Sequence, residues 1–330
     1  MHHTKRRQKP KRIGYTTNHE RKNYALHLLF AILLLGFFIF CANRLLIVLG
    51  EMHFDTIRTL RPLQYESTTV QDSEYEPQCT NLITPPTYML DELLARHGNN
   101  LSVYFENLET GFVYRFNADL VYFSASVTKA MYALYLYQLA EDGAINLDST
   151  HAFTYSDANW GSGIIQRRYD FGATFTLREL LRLNISESDN VATLMLRRIH
   201  GLDGYKNFIA EIGGNPELVG CRVMNSNLTA NEAGLFAREI FAYFESGGRY
   251  SNEFMSHMFN NQFPFIVSDY PVASKTGWTS PIAWHDMAII YAPSPFILVI
   301  LSEREGWCDT DYADFAEISM AFQQFNRLLA

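Results

Sequence analysis

The stretch Ser126-Val127-Thr128-Lys129 decides how the rest of this chain is interpreted. It follows a strand-like run and a short loop, and it opens a long apolar segment with helical spacing. If that segment is a helix, Ser126 lies at its first turn, where unpaired N–H groups and the positive end of the helix dipole point at its hydroxyl. Lys129, three residues on, shares that face and reaches the same hydroxyl. Because a desolvated lysine can accept a serine proton, the pair indicates an activated nucleophile.

Taken alone, this tetrapeptide has a plainer interpretation, in which Ser126 caps a helix and Lys129 is a solvated first-turn lysine. Ser188-Asp189-Asn190, in a short gap between two predicted helices, is equally typical of a helix cap. Lys275-Thr276-Gly277, at the end of a predicted strand, is typical of a strand-end turn. A lysine there can also bind a substrate carboxylate, a threonine adds a hydroxyl donor, and a glycine lets a ligand approach the backbone.

The hydrophobic pattern predicts strands at both ends of the domain and helices in its middle. Because early and late strands flank the helices, we expect one antiparallel sheet formed from both ends of the chain, with the middle helices as a second lobe. The predicted elements are helix 87–97, strands 101–107 and 112–116, helices 126–141, 177–187, 191–199 and 230–245, strands 270–275, 287–291 and 296–301, and helix 311–329. Capping boxes at Thr176–Glu179 and Thr229–Glu232 mark two of the helix starts.

The three motifs occur together, in this order, with 62 and 87 residues between their first residues. In this the chain resembles the serine β-lactamase and penicillin-binding protein superfamily, and class A β-lactamases in particular, from about residue 87 to residue 330. Val272-Ala273-Ser274 and His285-Asp286-Met287-Ala288-Ile289 are further local similarities. The resemblance implies a mixed α/β (α+β) fold, with a five-stranded antiparallel sheet flanked by helices and an all-helical lobe.

The resemblance also implies roles in acyl transfer. Ser126 is the acylated nucleophile and Lys129 its proton acceptor. Ser188 relays a proton to the leaving nitrogen, and Asn190 orients Lys129 or the substrate amide.

The remaining implied roles concern substrate binding. Lys275 and Thr276, with Gly277 beside them, hold the substrate carboxylate. The backbone N–H groups of Ser126 and Trp278 form the oxyanion hole.

The chain departs from the class A pattern at the residue that activates the deacylating water. The family uses a glutamate there. The most similar segment of this chain is Asn215-Pro216-Glu217-Leu218-Val219, which has asparagine in place of that glutamate. Glu217 is an alternative base, disfavoured because acid–base geometry tolerates little displacement. Efficient hydrolysis of β-lactams is therefore not expected.

Composition excludes some other functions. Residues 1–22 carry a balance of +7 within a total of −8, so the other 308 residues sum to −15. An acidic body argues against nucleic acid as a partner. The four cysteines, Cys41, Cys79, Cys221 and Cys308, show no paired metal spacing, so no metal is expected, and no cofactor is implied. One disulfide outside the membrane is possible, but its pairing cannot be deduced from sequence.

The amino-terminal part predicts a membrane anchor. Residues 24–42 are almost continuously apolar and, as a helix, would span roughly 28 Å. We expect a basic cytoplasmic tail at 1–22, a transmembrane anchor at 23–49, a linker at 50–86, and a serine hydrolase domain at 87–330. Because basic residues precede the span, its amino terminus is expected in the cytoplasm. This places the catalytic domain outside the membrane of a bacterial cell.

Together these features predict a single-pass serine hydrolase whose substrate is a β-lactam or a peptidoglycan stem peptide of D-Ala-D-Ala type. A second interpretation stays open, in which the domain acylates without turnover as a penicillin-binding sensor, or serves as a scaffold in cell-wall synthesis.

Overall fold

A five-stranded antiparallel sheet unites the two ends of the domain. The computed structural model describes residues 86–98, 100–220, 226–280, 282–303 and 311–329. The strands are β1 Leu101–Asn107, β2 Val113–Phe116, β3 Tyr122–Phe123, β4 Thr150–Ala152, β5 Thr174–Thr176, β6 Asn227–Leu228, β7 Val272–Thr279, β8 Ala283–Ile290 and β9 Phe296–Ser302. The α-helices are α1 Tyr88–Ala95, α2 Thr128–Glu141, α3 Ile165–Arg168, α4 Leu177–Ser186, α5 Asn190–His200, α6 Asp203–Glu211, α7 Ala230–Glu245, α8 Ser251–Phe259 and α9 Asp311–Arg327.

The main sheet has the strand order β2-β1-β9-β8-β7, and every neighbouring pair is antiparallel. The early strand β1 pairs with the late strand β9 from Leu101↔Ser302 to Asn107↔Phe296. This confirms the prediction of one sheet built from both ends of the chain. It leaves β7, which carries Lys275-Thr276-Gly277, at an edge of the sheet.

Both faces of the sheet are covered. Side chains alternate between two cores, so Val299 faces the core that contains α2 and α7, and Leu298 faces the core that contains α1 and α9. A strand buried on both faces has no need of polar alternation. This explains the unbroken apolar run from Phe296 to Leu301.

Helix α2 lies at the centre of the larger core. Its residues from Ala130 to Leu134 are all fully buried, and a helix that is apolar all round belongs in an interior. It packs among α4, α7 and α8. Of these, α7 and α8 also pack on strands of the main sheet, so the helical lobe is formed around α4 and α5. The aromatics of α2, such as Tyr132 and Tyr137, therefore contribute to packing.

The structure adds elements that the sequence pattern did not predict. Helices α3, α6 and α8 were missed, and so was the ribbon of β4 with β5. The region around β4 and β5 is polar, and strands of three residues give no readable alternation. The capping box Thr176–Glu179 is confirmed in both directions.

The second predicted capping box is only half formed. Glu232 N–H does donate to Thr229 Oγ1 at 3.1 Å. The Glu232 carboxylate, however, accepts the backbone N–H of Asn215 at 3.0 Å, which diverts this side chain to a tertiary contact.

Among the residues that the structure describes, no helix is long and apolar enough to cross a bilayer. The predicted tail, span and linker over residues 1–86 lie outside these residues, apart from Pro86, as do all four cysteines.

Candidate active site

The candidate nucleophile lies in a turn between β3 and α2. The helix begins at Thr128, so Ser126 precedes it and does not belong to its first turn as predicted. The reason is local: Ala125 has a φ of +45°, which turns the chain just before Ser126. A residue with a Cβ pays about 1–2 kcal/mol in this left-handed region. Such strain is typical of functional sites.

Contacts on two sides hold the Ser126 turn. The N–H of Ser124 donates to the carbonyl of Ser226 at 2.9 Å. On the other side lies Gly277 of β7, where a Cβ atom would stand 2.8 Å from the backbone nitrogens of both Ser126 and Val127. Only glycine leaves room for this approach. Gly277 thus admits the turn that carries Ser126, and its role toward a ligand stays a prediction.

Lys129 is fully buried and points at the Ser188 motif. Its Nζ donates to the Ser188 carbonyl at 2.6 Å and to Asn190 Oδ1 at 2.8 Å, and it lies 3.3 Å from Ser188 Oγ. Within the described residues, no hydrogen bond joins Nζ to Ser126 Oγ. Lys129 thus lies one turn along α2 from Ser126, with its amine held by the Ser188 motif between α4 and α5.

The Ser188 hydroxyl lies between two lysine amines. Besides Lys129, it meets Nζ of Lys275, which donates to it at 3.0 Å. Lys275 also donates to its neighbour's carbonyl, Thr276 O, at 2.8 Å. Ser188 itself has a φ of +50°, the second left-handed residue of the site. The three motifs of the sequence therefore meet at one hydroxyl group.

Burial shapes the charge of both amines. Desolvation, followed by the charge of Lys275, lowers the pKa of Lys129 well below its ordinary value, and Asp189 opposes this. Desolvation lowers the pKa of Lys275 to about 7, opposed by Asp286. A lysine with a strongly lowered pKa is neutral near pH 7 and can act as a base. Burial thus makes the neutral, basic form of Lys129 easier to reach than in water, and it leaves Lys275 partly charged near pH 7.

Asn190 and Asp189 connect the site to a turn that the sequence did not mark as functional. Asn190 Nδ2 donates to Asn159 Oδ1 at 3.1 Å. Asp189 Oδ2 accepts the N–H groups of Ile164 and Ile165 at 2.6 and 2.8 Å. The signal for this contact was the Gly161-Ser162-Gly163 turn, since a Cβ on Gly163 would stand 2.4 Å from Asp189 Cα.

Thr276 has a different environment from the one predicted. Its hydroxyl donates to the carbonyl of Phe263 at 2.7 Å and accepts from Asn261 Nδ2 at 2.9 Å. A hydroxyl has one proton, so in this arrangement Thr276 has none to offer a substrate carboxylate. Lys275 remains the predicted cation for a substrate carboxylate.

The two predicted oxyanion donors belong to neighbouring segments. The closeness of Gly277 to Ser126 N brings the start of Trp278 next to the nucleophile turn. Within the described residues, Ser126 N–H makes no backbone hydrogen bond, so it is available to an oxyanion. The Trp278 ring is 54% exposed and stacks on Trp284, with ring centroids 5.8 Å apart.

The segment 215–219, which departs from the family pattern, makes no carboxylate hydrogen bond to the nucleophile in the described residues. Asn215 caps a short 3₁₀ turn, Pro216–Leu218, by accepting the N–H of Glu217. Glu217 is exposed, and no hydrogen bond or ion pair links its carboxylate to Ser126 or Lys129 in the described part of the chain.

A possible metal ligand set lies elsewhere in the described residues. His97, Asp314 and Glu317 are close enough to share an ion. They belong to the region of α1 and α9, on the other face of the sheet from Ser126. Glu317 pairs with Arg96 at 2.9 Å and His97 with Asp314 at 3.4 Å.

Comparisons with solved structures agree with this architecture. A β-lactamase of Sphaerobacter thermophilus is 20% identical, with a TM-score of 0.66 over 74% of this chain and 98% of that one. A β-lactamase of Chitinophaga pinensis is 20% identical, with a TM-score of 0.63 over 72% and 97%. PBP-A is 18% identical, with a TM-score of 0.63 over 76% and 97%. At these identities the likeness shows the fold.

Among curated proteins, none matches the chain significantly. The sequence model of the beta-lactamase enzyme family, in contrast, matches residues 86–325, which is most of the chain. The matched region contains all three motifs and every strand and helix that meets at Ser188. The chain therefore belongs to the beta-lactamase enzyme family.

Proposed function

We propose that this protein is a membrane-anchored, extracytoplasmic serine enzyme that acts through an acyl-serine on a β-lactam or a D-Ala-D-Ala-type cell-wall peptide. The observation that carries the proposal is the Ser188 hydroxyl held between the buried amines of Lys129 and Lys275, beside the strained turn of Ser126. Buried amines with lowered pKa values are costly for a fold and are typical of catalytic sites.

Acylation begins at Ser126. Its Oγ attacks the carbonyl carbon of the substrate amide while the unprotonated amine of Lys129, whose pKa is lowered by burial, accepts the hydroxyl proton. The carbonyl oxygen gains negative charge and is stabilised by the backbone N–H groups of Ser126 and Trp278.

Collapse of this intermediate breaks the C–N bond. The leaving nitrogen takes a proton from the Ser188 hydroxyl, which is replaced from the protonated Lys129 at 3.3 Å. The leaving group thus gains one proton, Ser188 regains its own from Lys129, and the net result is the transfer of one proton from Ser126 to the leaving group with Lys129 again neutral. Asn190 keeps Lys129 in place through its Oδ1.

Lys275 is proposed to hold the substrate carboxylate. In its charged form it is a buried cation next to Ser188, and such a charge-assisted contact is stronger than a neutral one. Thr276, whose hydroxyl is occupied by Phe263, is proposed to support the edge of β7 and not to bind the substrate.

Slow deacylation is the second part of the proposal. Asn215 lacks the carboxylate that would activate water, and Glu217 is exposed on the same turn. A variant of PBP-A has been solved as an acyl-enzyme complex with penicillin G. For this chain we propose that such an intermediate persists or passes to an acceptor other than water.

Covalent labelling tests the proposal. The full-length protein in detergent is incubated with a fluorescent penicillin, and hydrolysis of a chromogenic cephalosporin is followed in parallel. We expect labelling of the wild type, none of S126A, strongly reduced labelling of K129M, and little hydrolysis. Absence of labelling in the wild type would exclude the acyl-serine and leave a scaffold role, and rapid hydrolysis would refute slow deacylation alone.

A further inference from the structure

His285 is a buried side chain close to the site that the proposed reaction does not use. It lies on β8, directly opposite Gly277 of β7 and Leu301 of β9 in the sheet register. Gly277 is the residue that presses against the Ser126 turn. His285 is fully buried.

Both nitrogens of the His285 ring have partners, and the partners determine where its proton lies. Nδ1 lies 3.1 Å from the backbone nitrogen of Ser302, which can only donate. Nδ1 therefore accepts, and the ring proton of the neutral form must be on Nε2. Nε2 then donates to the carbonyl of Phe123 at 2.9 Å. Burial lowers the pKa of His285 to about 4, so the ring is neutral near pH 7.

The Phe123 carbonyl is the last backbone group of β3 before the nucleophile turn. From there the chain passes through Ser124 and the left-handed Ala125 to Ser126. A strained conformation persists only where its surroundings fix it. The hydrogen bond from Ser124 to Ser226 fixes one side of this turn, and His285 fixes the carbonyl just before it. The ring of Tyr122 packs edge-on against the His285 ring, with ring centroids 5.6 Å apart.

We infer that His285 is a positioning residue, which holds the Ser126 turn in its reactive geometry by donating Nε2–H to the Phe123 carbonyl. It touches neither substrate nor reacting atoms. This inference rests on the proposed function, because it concerns the same nucleophile. A displacement of the turn by about 1 Å is enough to slow a reaction by about a hundredfold.

Two substitutions separate the two hydrogen bonds of His285. H285Q places an amide N–H near the position of Nε2 and has no acceptor for Ser302, whereas H285N places an oxygen near Nδ1 and has no donor for Phe123. Acylation by penicillin is followed by quenching the reaction at timed intervals and measuring the intact mass of the protein. The rate constant of acylation and the apparent binding constant are determined separately. The melting temperature of each full-length variant is recorded beside it.

We expect H285N to acylate about 10- to 100-fold more slowly, with unchanged binding. H285Q should acylate at a rate within about threefold of the wild-type rate. Its melting temperature should fall, because the backbone N–H of Ser302 in β9 loses its hydrogen-bond acceptor. The control is I290A, which removes a buried side chain on the opposite face of β8: it should lower the melting temperature and leave acylation unchanged.

Equal losses in H285N and H285Q, or no loss in either, would overturn the inference while leaving the proposed function intact. Should H285N fail to fold, a large loss of acylation in H285Q would contradict the inference by itself, because that variant retains the donor. A wild type that gives no adduct would refute the proposed function first.

Discussion

At the scale of single residues, three side chains define the site. Lys129 and Lys275 are both fully buried, and each lies within hydrogen-bonding distance of Ser188 Oγ. Motif spacing predicted which residues would meet but not how. It could not show that Thr276 donates to Phe263, because the loop 261–266 reaches β7 only through the tertiary fold. Nor could it show that Ser126 lies before the helix, since the left-handed Ala125 leaves no mark in the sequence.

Lys275 predicts the pH dependence of acylation. Its pKa is lowered to about 7 by burial, so its charge is present below that pH and is lost as the pH rises. The second-order rate constant reports ionisations of the free enzyme, and it should therefore fall above about pH 7. Lys275→Arg keeps its charge, so its profile should remain flat to higher pH. The same fall in both proteins would contradict this assignment.

The charge of Asp286 should determine the pH at which the rate constant of acylation falls. Asp286 is buried on β8 opposite Thr276, the residue after Lys275, and its charge raises the pKa of the lysine. Asp286→Asn keeps an oxygen for the N–H groups of Phe265 and Ile266 but removes the charge. The descending part of the profile should move to lower pH in this variant. A move to higher pH, or none, would show that another group is responsible.

At the scale of elements, agreement between sequence and structure follows the strength of the local pattern. Strand β1 was predicted with its observed bounds, because seven residues with strand-forming side chains lie between turn signals. Helices α6 and α8 were missed: each has nine residues, and neither begins with a side-chain cap. The half-formed box at Thr229 failed for a tertiary reason, namely the contact of Glu232 with Asn215.

The contact between β7 and the Ser126 turn predicts the result of adding one methyl group. In Gly277→Ala the new Cβ would meet two backbone nitrogens at 2.8 Å, so the strand or the turn must shift. Overpacking of this kind costs about 1–3 kcal/mol in unfolding free energy, and we expect acylation to fall by about a hundredfold or more.

Gly143→Ala is the matched control for that variant. Gly143 has a φ of +72° and nothing within 4 Å of an added Cβ. It should lose about 1 kcal/mol in denaturant unfolding and keep its rate of acylation. If both variants acylate normally, the packing of β7 on the turn does not position Ser126.

At the scale of the whole molecule, the site lies where the sheet meets the helical lobe. Lys275 belongs to strand β7 of the sheet, whereas Ser126 precedes α2 and Ser188 lies between α4 and α5, on the helical side. The residues of the site lie between positions 126 and 275 of the chain. The site nevertheless depends on a sheet in which β1 pairs with β9, two strands from opposite ends of the domain. Sequence alone predicted this architecture because strands and helices were segregated along the chain.

The anchor predicted at residues 23–49 gives a test at the same scale. The full-length protein should sediment with bacterial membranes and be accessible to protease from outside the cytoplasm. A chain that begins at residue 78 should be recovered without membranes and acylate Ser126 at the rate of the full-length protein. Release of the full-length chain by salt alone would contradict a membrane span.

The central claim is that Ser126 forms an acyl-enzyme that water releases slowly, and an intact-mass time course with penicillin tests it most directly. The account predicts a single adduct of the mass of the drug, mapped to Ser126, absent from S126A, and still present long after free drug is removed. An adduct on another residue, or none, would contradict the assignment of the nucleophile. Loss of the adduct within seconds would contradict the conclusion drawn from Asn215.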